Sequence, residues 1–569
     1  MYSPRARQKL ERSVWCLTAV LLGFFGALHQ AGVLDWLENR TWDWRVRAGL
    51  NPASADKNIV IIDIDNASFR ELTDKLGRWP WTRRVWTELI RYVAAGESRL
   101  ILFDALFSGS EPGVDEEFGE VIRQAGNVVL PFALVSGSMD TDSPIFEPPA
   151  SALVKLEGSP WGAEYTRGEW SVNAPNPLLA AMAATGSNLA TPDPDGITRR
   201  LPLLLRYDGR DWATLWLAAA MRLRSAGGAR FTGGEFHAGP IRVPVDAQGR
   251  HVIRWHGDSL TSYPLVPLWE MICSIYPAQC HPEVLRHPPE EFRDKIVPVG
   301  ASASGSYEVR PTAVSETSPA FLIIATALDN LLHNHGIRQC PSWLAWLLIG
   351  LLAAVPAWSL LRWRSATGPL ALTLGAPAAY AVFCFFLYER SVWLPLAGPT
   401  LAGAVVFSSN MVLRHLTVDR ELARTRGTLE RYVSPPLVRH VMDNLDSFRF
   451  DGEKRRLTVF FSDVRNFTTL SEKSDPTHLV RQLNEYLEAM TDIIFRYEGI
   501  VDKFIGDGVM AHWGAFTPGR PNALLAARPS LEMLETLREL NARWEQAGFP
   551  PLQIGIGLNT DEVIFGNIG

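Results

Sequence analysis

Two stretches, "RRLTVFFSDVRNFTTLSE" (455–472) and "GIVDKFIGDGVMAHWGA" (499–515), decide how the C-terminal part of this chain is read. The first begins as a run of β-branched and aromatic residues, a strand that delivers Asp463 near its end. The second is two apolar runs joined across Gly506, Asp507 and Gly508, a tight hairpin in which glycine supplies positive φ. Between them, "THLVRQLNEYLEAMTDIIFRYEG" (477–499) spaces Leu479, Leu483, Leu487, Met490 and Ile494 as one helix face and stops at Gly499. If the two strands are neighbours, Asp463 and Asp507 project to one sheet edge. Two carboxylates there suit Mg²⁺, a hard cation held by one or two carboxylates while substrate phosphates complete its shell. Such ions lower the pKa of an attacking hydroxyl and neutralise leaving phosphates. No Walker-type loop, kinase loop or zinc motif competes. The residues alone leave a structural role for both Asp side chains open.

Outward from this region, composition points to a membrane protein with large folded parts. The chain has 569 residues, too many for one ordinary domain, with hydrophobic content of 47% and Trp 20. Lys+Arg 55 against Asp+Glu 61 gives a net charge of -6, so no global field calls for nucleic acid as a partner. The stretch "VWCLTAVLLGFFGALHQAGVL" (14–34) has no acidic or basic residue except the imidazole of His29 and follows Arg5, Arg7, Lys9 and Arg12. It is long and lacks a small-x-small cleavage site, which favours an uncleaved anchor over a secretory signal. Three further apolar blocks fall at 343–361, 369–388 and 392–413. Arg362 and Arg364 follow the first, and Arg414, His415, Arg420, Arg424 and Arg426 follow the third. The positive-inside rule then gives four crossings, a cytoplasmic N-terminus (1–13), a span (14–34), an extracytoplasmic region (35–342), three spans (343–413) and a cytoplasmic remainder.

The outer region reads as α/β. "NIVIIDID" (58–65) and "RLILFDALFS" (99–108) are apolar strands ending in Asp, separated by the helical "RRVWTELIRYVAAG" (83–96), and "GNVVLPFAL" (126–134) and "DKIVPVGAS" (294–302) add strands. The segments "RWPWTR" (78–83) and "PDPDGITRR" (192–200), with these strands, resemble the extracellular sensor domain of the CHASE type, second class, which precedes cyclases and kinases outside bacterial membranes. Asp63, Asp65 and Asp104 either line a ligand crevice at the strand ends or cap the elements that follow. Cys273, Cys280 and Cys340 fall outside, where a Cys273–Cys280 bridge and free thiols are both open.

The linker at 414–450 begins with alternating charge that runs to the helix-breaking Pro435 and Pro436, which suits a signalling helix paired with its twin or a solvated helix alone. Beyond them, "VFFSDVRNFTTLSE", "EYLEAMTDIIFRYEGIVDKFIGDGVMAHWGA" and "LQIGIGLNTDEVIFGNIG" resemble the class III nucleotide cyclases. The resemblance implies an α+β, ferredoxin-like palm over 451–569. It places two Mg²⁺ or Mn²⁺ ions on Asp463, Asp507 and the Val464 carbonyl. It sets Phe461, Val464, Phe467 and Lys503 at the nucleotide, with Lys503 as the base-recognising lysine of adenylate cyclases. An ammonium has only donors and suits adenine N1, an acceptor. Guanylate cyclases generally carry Glu there. The implied protein is a homodimer of the bacterial inner membrane that turns ATP into cyclic AMP and pyrophosphate under an unknown external ligand.

"LQIGIGLNTDEVIFGNIG" (552–569) reads as two strands around a polar turn, with Asp561 where Gly is usual, and Pro529 reads as an interruption of the helix before it. In the family, the segment after "GNIG" carries a second base-selecting residue, and the next helix carries the Asn and Arg of the transition state. The sequence as given stops before them, so an incomplete palm with weak or no activity alone is expected. The alternative is a noncatalytic sensor with a cyclase-like dimerisation remnant. A diguanylate cyclase is set aside because its "GGDEF"-like turn is absent from the sequence.

Overall fold

The computed structural model describes residues 4–137, 147–158, 164–167, 169–257, 261–303, 309–363, 365, 367–416, 453–515 and 521–565. The linker expected at 414–450 lies almost wholly outside them. The chain divides into two compact units, Glu11–Met411 and Val412–Gly569 with Met1–Leu10.

The expected strand, helix, strand reading of the first unit holds. Its main sheet runs Leu265–Pro267, Ile61–Ile64, Ile296–Ala301, Leu100–Phe103, Val128–Ser136, with Ala184–Ser187 also on Val128–Ser136 and Trp170–Asn173 at its edge. All pairings are parallel except that of Trp170–Asn173. Parallel strands are covered on both faces, which is why these runs are apolar without alternation. Ile61, Leu100 and Leu102 face a core shared with the Ala320–Leu332 helix, while Ile62, Ile64, Ile101 and Phe103 face one shared with Arg83–Ala95. The Ala320–Leu332 helix lies so close that a Cβ at Gly300 would sit 2.5 Å from Phe321 Cβ.

The two motif segments are structural latches. Trp79, Trp81, Trp86 and Phe69 stack edge to face, and Arg83 bonds the buried Asp115 at the start of the Asp115–Ala125 helix. Arg199, fully buried, grips both carboxylate oxygens of Asp43 at 2.7 Å, and so ties the sensor to the Asp35–Ala48 helix that follows the first apolar helix. A buried bidentate pair of this kind is costly to break from one side, at about 3–5 kcal/mol. Cys273 and Cys280 are joined in a disulfide, which closes the question their spacing left open.

Among the described residues, three helices, Leu10–Gln30, Ser342–Arg362 and Thr367–Glu389, are long and apolar enough to cross a membrane, one fewer than expected. The block at 392–413 opens instead as the short strand Val392–Trp393 paired with Arg338–Gln339 and becomes helical only at Ala397–Arg414. That helix has 18 residues and carries Ser408, Ser409 and Asn410, which dilute its apolar run.

In the second unit the sheet order is Ile500–Ile505, Gly508–Trp513, Glu453–Val464, Ile554–Phe565, all antiparallel. With the helices Phe467–Lys473, Pro476–Arg496 and Asn522–Gln546 between strands, this is the β-α-β-β-α-β ferredoxin-like arrangement that was expected. Asp475 caps Pro476–Arg496 by accepting from the Thr477 and His478 N–H groups, and Pro476 pre-sets its first turn. The helices cover Phe460, Val464, Val509, Ala511 and Trp513 on one face. Trp513 is buried and its indole N–H donates to the Tyr497 carbonyl, so Trp513→Ala removes about 3–5 kcal/mol.

Two local expectations are corrected. Ile554–Phe565 is one continuous strand with Asp561 inside it, because it pairs residue for residue with Glu453–Val464 and the ladder overrides the polar "NTD". Asn522–Gln546 runs straight through Pro529, which is buried among helix residues, while Ser530 Oγ returns a bond to the Ala526 carbonyl.

Candidate functional site

The register brings Phe461, Asp463 and Lys503 to one face of the sheet, while the Val464 side chain lies on the other face, under the helices. Cross-strand partners share a face. Lys503 opposes Met510, Met510 opposes Phe461, and Phe461 opposes Gly557, so these form one row across the sheet. The shift in register between Val501 and Lys503 is what turns Lys503 onto this face. Side chains alternate along a strand, which puts Asp463 on the same face two positions beyond Phe461. It is the face opposite the helices: Phe461 is 49% exposed, and Asp463 and Lys503 are exposed.

The hairpin carries Asp507 to the same edge. Gly506, at φ +62°, makes the turn, and Asp507 Oδ2 accepts from the Val464 N–H at 3.1 Å. Gly508 presses on the end of the neighbouring strand: a Cβ there would lie 2.6 Å from the Ser462 carbonyl oxygen and 3.5 Å from Asp463 Oδ1. The close approach therefore requires glycine and sets the turn that carries Asp507 against the end of the strand that carries Asp463. Neither forms an ion pair among the described residues. Behind them, the buried Tyr486 hydroxyl lies 3.4 Å from Ser462 Oγ. Burial, with the Asp507 and Asp463 charges, pushes its phenol above the usual range while the Ser462 contact opposes. Lys503 Nζ sits 3.2 Å from Asp502 Oδ2, an exposed pairing that costs little to give up. Phe467 is placed differently: it is half-buried against the palm core.

In the first unit, two of the three strand-end Asp residues are occupied within the fold. Asp65 caps the Asn66–Leu76 helix through the Ser68 N–H. Asp63 is buried and accepts from the N–H and hydroxyl of Ser302, and burial pushes it up to about 6. A cleft of 990 Å³ lies elsewhere, beside the "PDPDGITRR" segment, lined by Asp35, Asp193, Arg200 and Arg250. Three of its acids are paired: Asp193 with Arg199, Arg200 and Arg250, Asp195 with Arg199, and Asp246 with Arg250. The sequence reading missed a cluster of His256, Asp329 and His335 in this unit.

The match to known families agrees with this division. Residues 17–361, more than half of the chain, match the CHASE2 domain. The chain belongs to the CHASE2 family. Residues 451–569 of this CHASE2 protein match the adenylate and guanylate cyclase catalytic domain. Relatives include "Adenylate cyclase 1" of Rhizobium meliloti (strain 1021), 30% identical over 28% of this chain and 25% of that protein. "Adenylate cyclase" of Anabaena cylindrica is 29% identical over 29% of this chain and 34% of that protein. Among solved structures, the guanylyl cyclase Cya2 is 42% identical over 21% of this chain and 60% of that one, with a TM-score of 0.20. The adenylyl cyclase CyaB from P. aeruginosa is 37% identical over 21% and 62%, with a TM-score of 0.21. The CHASE2 chain thus spans a quarter to a third of these curated relatives.

Proposed function

We propose that this CHASE2 protein is a membrane-bound adenylate cyclase whose nucleotide site is completed by a second copy of the chain. The observation that carries this reading is the pair Asp463 and Asp507 at one sheet edge, open and without a cation partner among the described residues. Two adjacent uncompensated carboxylates fit a pair of divalent ions, and Asp463, Asp507 and the Val464 carbonyl would hold them. Bound there, Mg²⁺ or Mn²⁺ supplies acidity to the ATP 3′-hydroxyl and charge neutralisation to the phosphates. The 3′-oxygen bonds to the α-phosphorus, the bond from that phosphorus to the β-phosphate bridging oxygen breaks, pyrophosphate leaves, and the hydroxyl proton passes to solvent.

Lys503 provides donors for adenine N1 and would reject guanine, whose N1 carries hydrogen. Phe461 offers an aromatic surface on the same open face, while Phe467 packs against the palm core. The sheet face that bears these groups is left uncovered by the described residues of its unit, which is the reason to assign a second copy across it.

For the membrane part, we infer a fourth crossing at Ala397–Arg414 and hence a sensor outside and a palm inside. Asn410 on this helix donates to the Thr18 hydroxyl on the first apolar helix at 3.0 Å. A Cβ at Gly403 would meet the Leu352 carbonyl oxygen at 3.0 Å. Small residues and a buried polar pair are how helices associate in lipid. The Cys273–Cys280 bridge fits an oxidising compartment around the sensor.

The test is cyclic AMP formed from ATP with Mg²⁺ or Mn²⁺ in bacterial membranes lacking other cyclases. The chain is assayed alone and co-expressed with a cyclase domain whose own metal carboxylates are replaced. The reading expects cyclic AMP that Asp463→Ala abolishes. Absence of product in both arrangements, or product indifferent to Asp463→Ala, overturns it.

A further inference from the structure

We propose that His256, Asp329 and His335 form a binding site in the sensor unit for a divalent transition-metal ion of the zinc class. One ring nitrogen of each histidine and one oxygen of Asp329 lie within 4.8 Å of one another. Ligands about 2.1 Å from a tetrahedral ion stand roughly 3.4 Å apart, so a modest contraction would close the set. Two imidazoles and one carboxylate suit zinc and its neighbours better than magnesium or calcium.

The hydrogen bonds around His256 show why a cation belongs there. Ser54 Oγ donates its single proton to the Asn51 carbonyl at 2.6 Å. It must therefore accept from His256 Nδ1, 2.8 Å away, which fixes the proton on that nitrogen. In the neutral ring, Nε2 then presents a lone pair to Asp329 Oδ2 at 3.3 Å, two acceptors face to face. His256 is 2% exposed and its Nε2 has no hydrogen-bond partner. The buried His335 Nδ1 has none either.

The surroundings hold the carboxylate and leave a way in. Asp329 Oδ2 also accepts from the Asp56 N–H and the Tyr263 hydroxyl, both at 3.0 Å, and Oδ1 lies 2.9 Å from His333 Nδ1. Such outer bonds orient a ligand and tune its donor strength. His335 is partly exposed and its ring stacks on the more exposed His333, which marks the mouth. Arg254 and Asp56 are the other charges facing the cluster. His287 provides the contrast within the same unit. Both its nitrogens sit 3.0 Å from carboxylates, of Glu270 and Glu291, so it needs no ion.

Position gives the site a consequence. It joins the segment after the first apolar helix, the loop that holds His256, and the end of the Ala320–Leu332 helix, shortly before Ser342–Arg362 enters the apolar bundle. A bound ion would brace the sensor where it meets the membrane helices. The proposal stands on sensor geometry and does not depend on the cyclase reading.

The test uses the full chain in detergent, stripped of metal and returned to buffer with excess Mg²⁺ to occupy the palm carboxylates. Zn²⁺ affinity is measured by competition with a chromophoric chelator, and Co²⁺ absorption reports nitrogen ligation. The expected result is one tight Zn²⁺ per chain, weakened about 100-fold or more by His335→Gln and by His256→Gln. The exposed His281→Gln should bind as wild type. If His256→Gln fails to fold, His335→Gln still decides, since no hydrogen bond holds its Nδ1. Equal affinity in wild type and His335→Gln overturns the site. So does wild type that retains no Zn²⁺, because the His256–Asp329 pair then shares a proton instead.

Discussion

The sensor and the palm both contain an apolar strand that ends in aspartate, and the two put that aspartate to opposite use. In "NIVIIDID" the carboxylates are spent inside the fold: Asp65 caps a helix through Ser68, and Asp63 is buried with Ser302 donating to both of its oxygens. In "LTVFFSDV" the strand end is exposed, Asp463 has no cation partner among the described residues, and Asp507 beside it accepts a single backbone N–H. Both places show the same pattern, a run of mostly apolar residues that reaches an aspartate near its end. Ownership of the carboxylate lone pairs separates a structural acid from one available to metal and phosphate.

The comparison can be broken at either side. The largest effect is expected at the palm: Asp463→Ala should lower cyclic AMP formation by about 10³-fold while leaving the melting temperature of the chain unchanged. A matching fall in melting temperature would make Asp463 another structural acid. At Asp63 the prediction concerns pH and stability. Its folded-state pKa, raised from 3.8 to about 6, means the protonated form is favoured on folding. That contribution is fully present below about pH 4 and lost as pH rises through about 6, a difference of about 3 kcal/mol. Asp63→Asn should flatten this dependence in denaturant titrations between pH 4 and 8. A third expectation sharpens the palm side: Lys503→Glu should cut kcat/KM for ATP by about 10-fold or more and improve GTP relative to ATP. An unchanged ATP to GTP ratio would remove Lys503 from base recognition. The smallest effect is Asp65→Ala, which should cost about 1 kcal/mol of sensor stability through the lost cap and leave nucleotide chemistry untouched.

Legibility in the sequence followed the range of the interactions. Asp463, Asp507 and the hairpin between strands were readable because a strand end and a glycine turn are local. That their strands are neighbours stayed conditional in the sequence, because Glu453–Val464 and Gly508–Trp513 pair across two intervening helices and a strand. The Asn522–Gln546 helix across Pro529 was misread, as was the unbroken Ile554–Phe565 strand, because tertiary packing and a twelve-residue ladder overrode local preference. The Cys273–Cys280 bridge was open because spacing alone does not set geometry. The histidine cluster was invisible for a further reason. His256 comes from a loop far upstream of Asp329 and His335, and each histidine alone reads as a surface residue. Only "DNLLHNH" (329–335) carried a trace of it.

The most direct test of the distinction between owned and open carboxylates is Mn²⁺ binding by electron paramagnetic resonance, with ATP present, in the full chain and in two variants. The account predicts ATP-dependent Mn²⁺ binding that Asp463→Ala removes and Asp63→Asn leaves intact. Binding that survives Asp463→Ala, or falls equally in both variants, would contradict it.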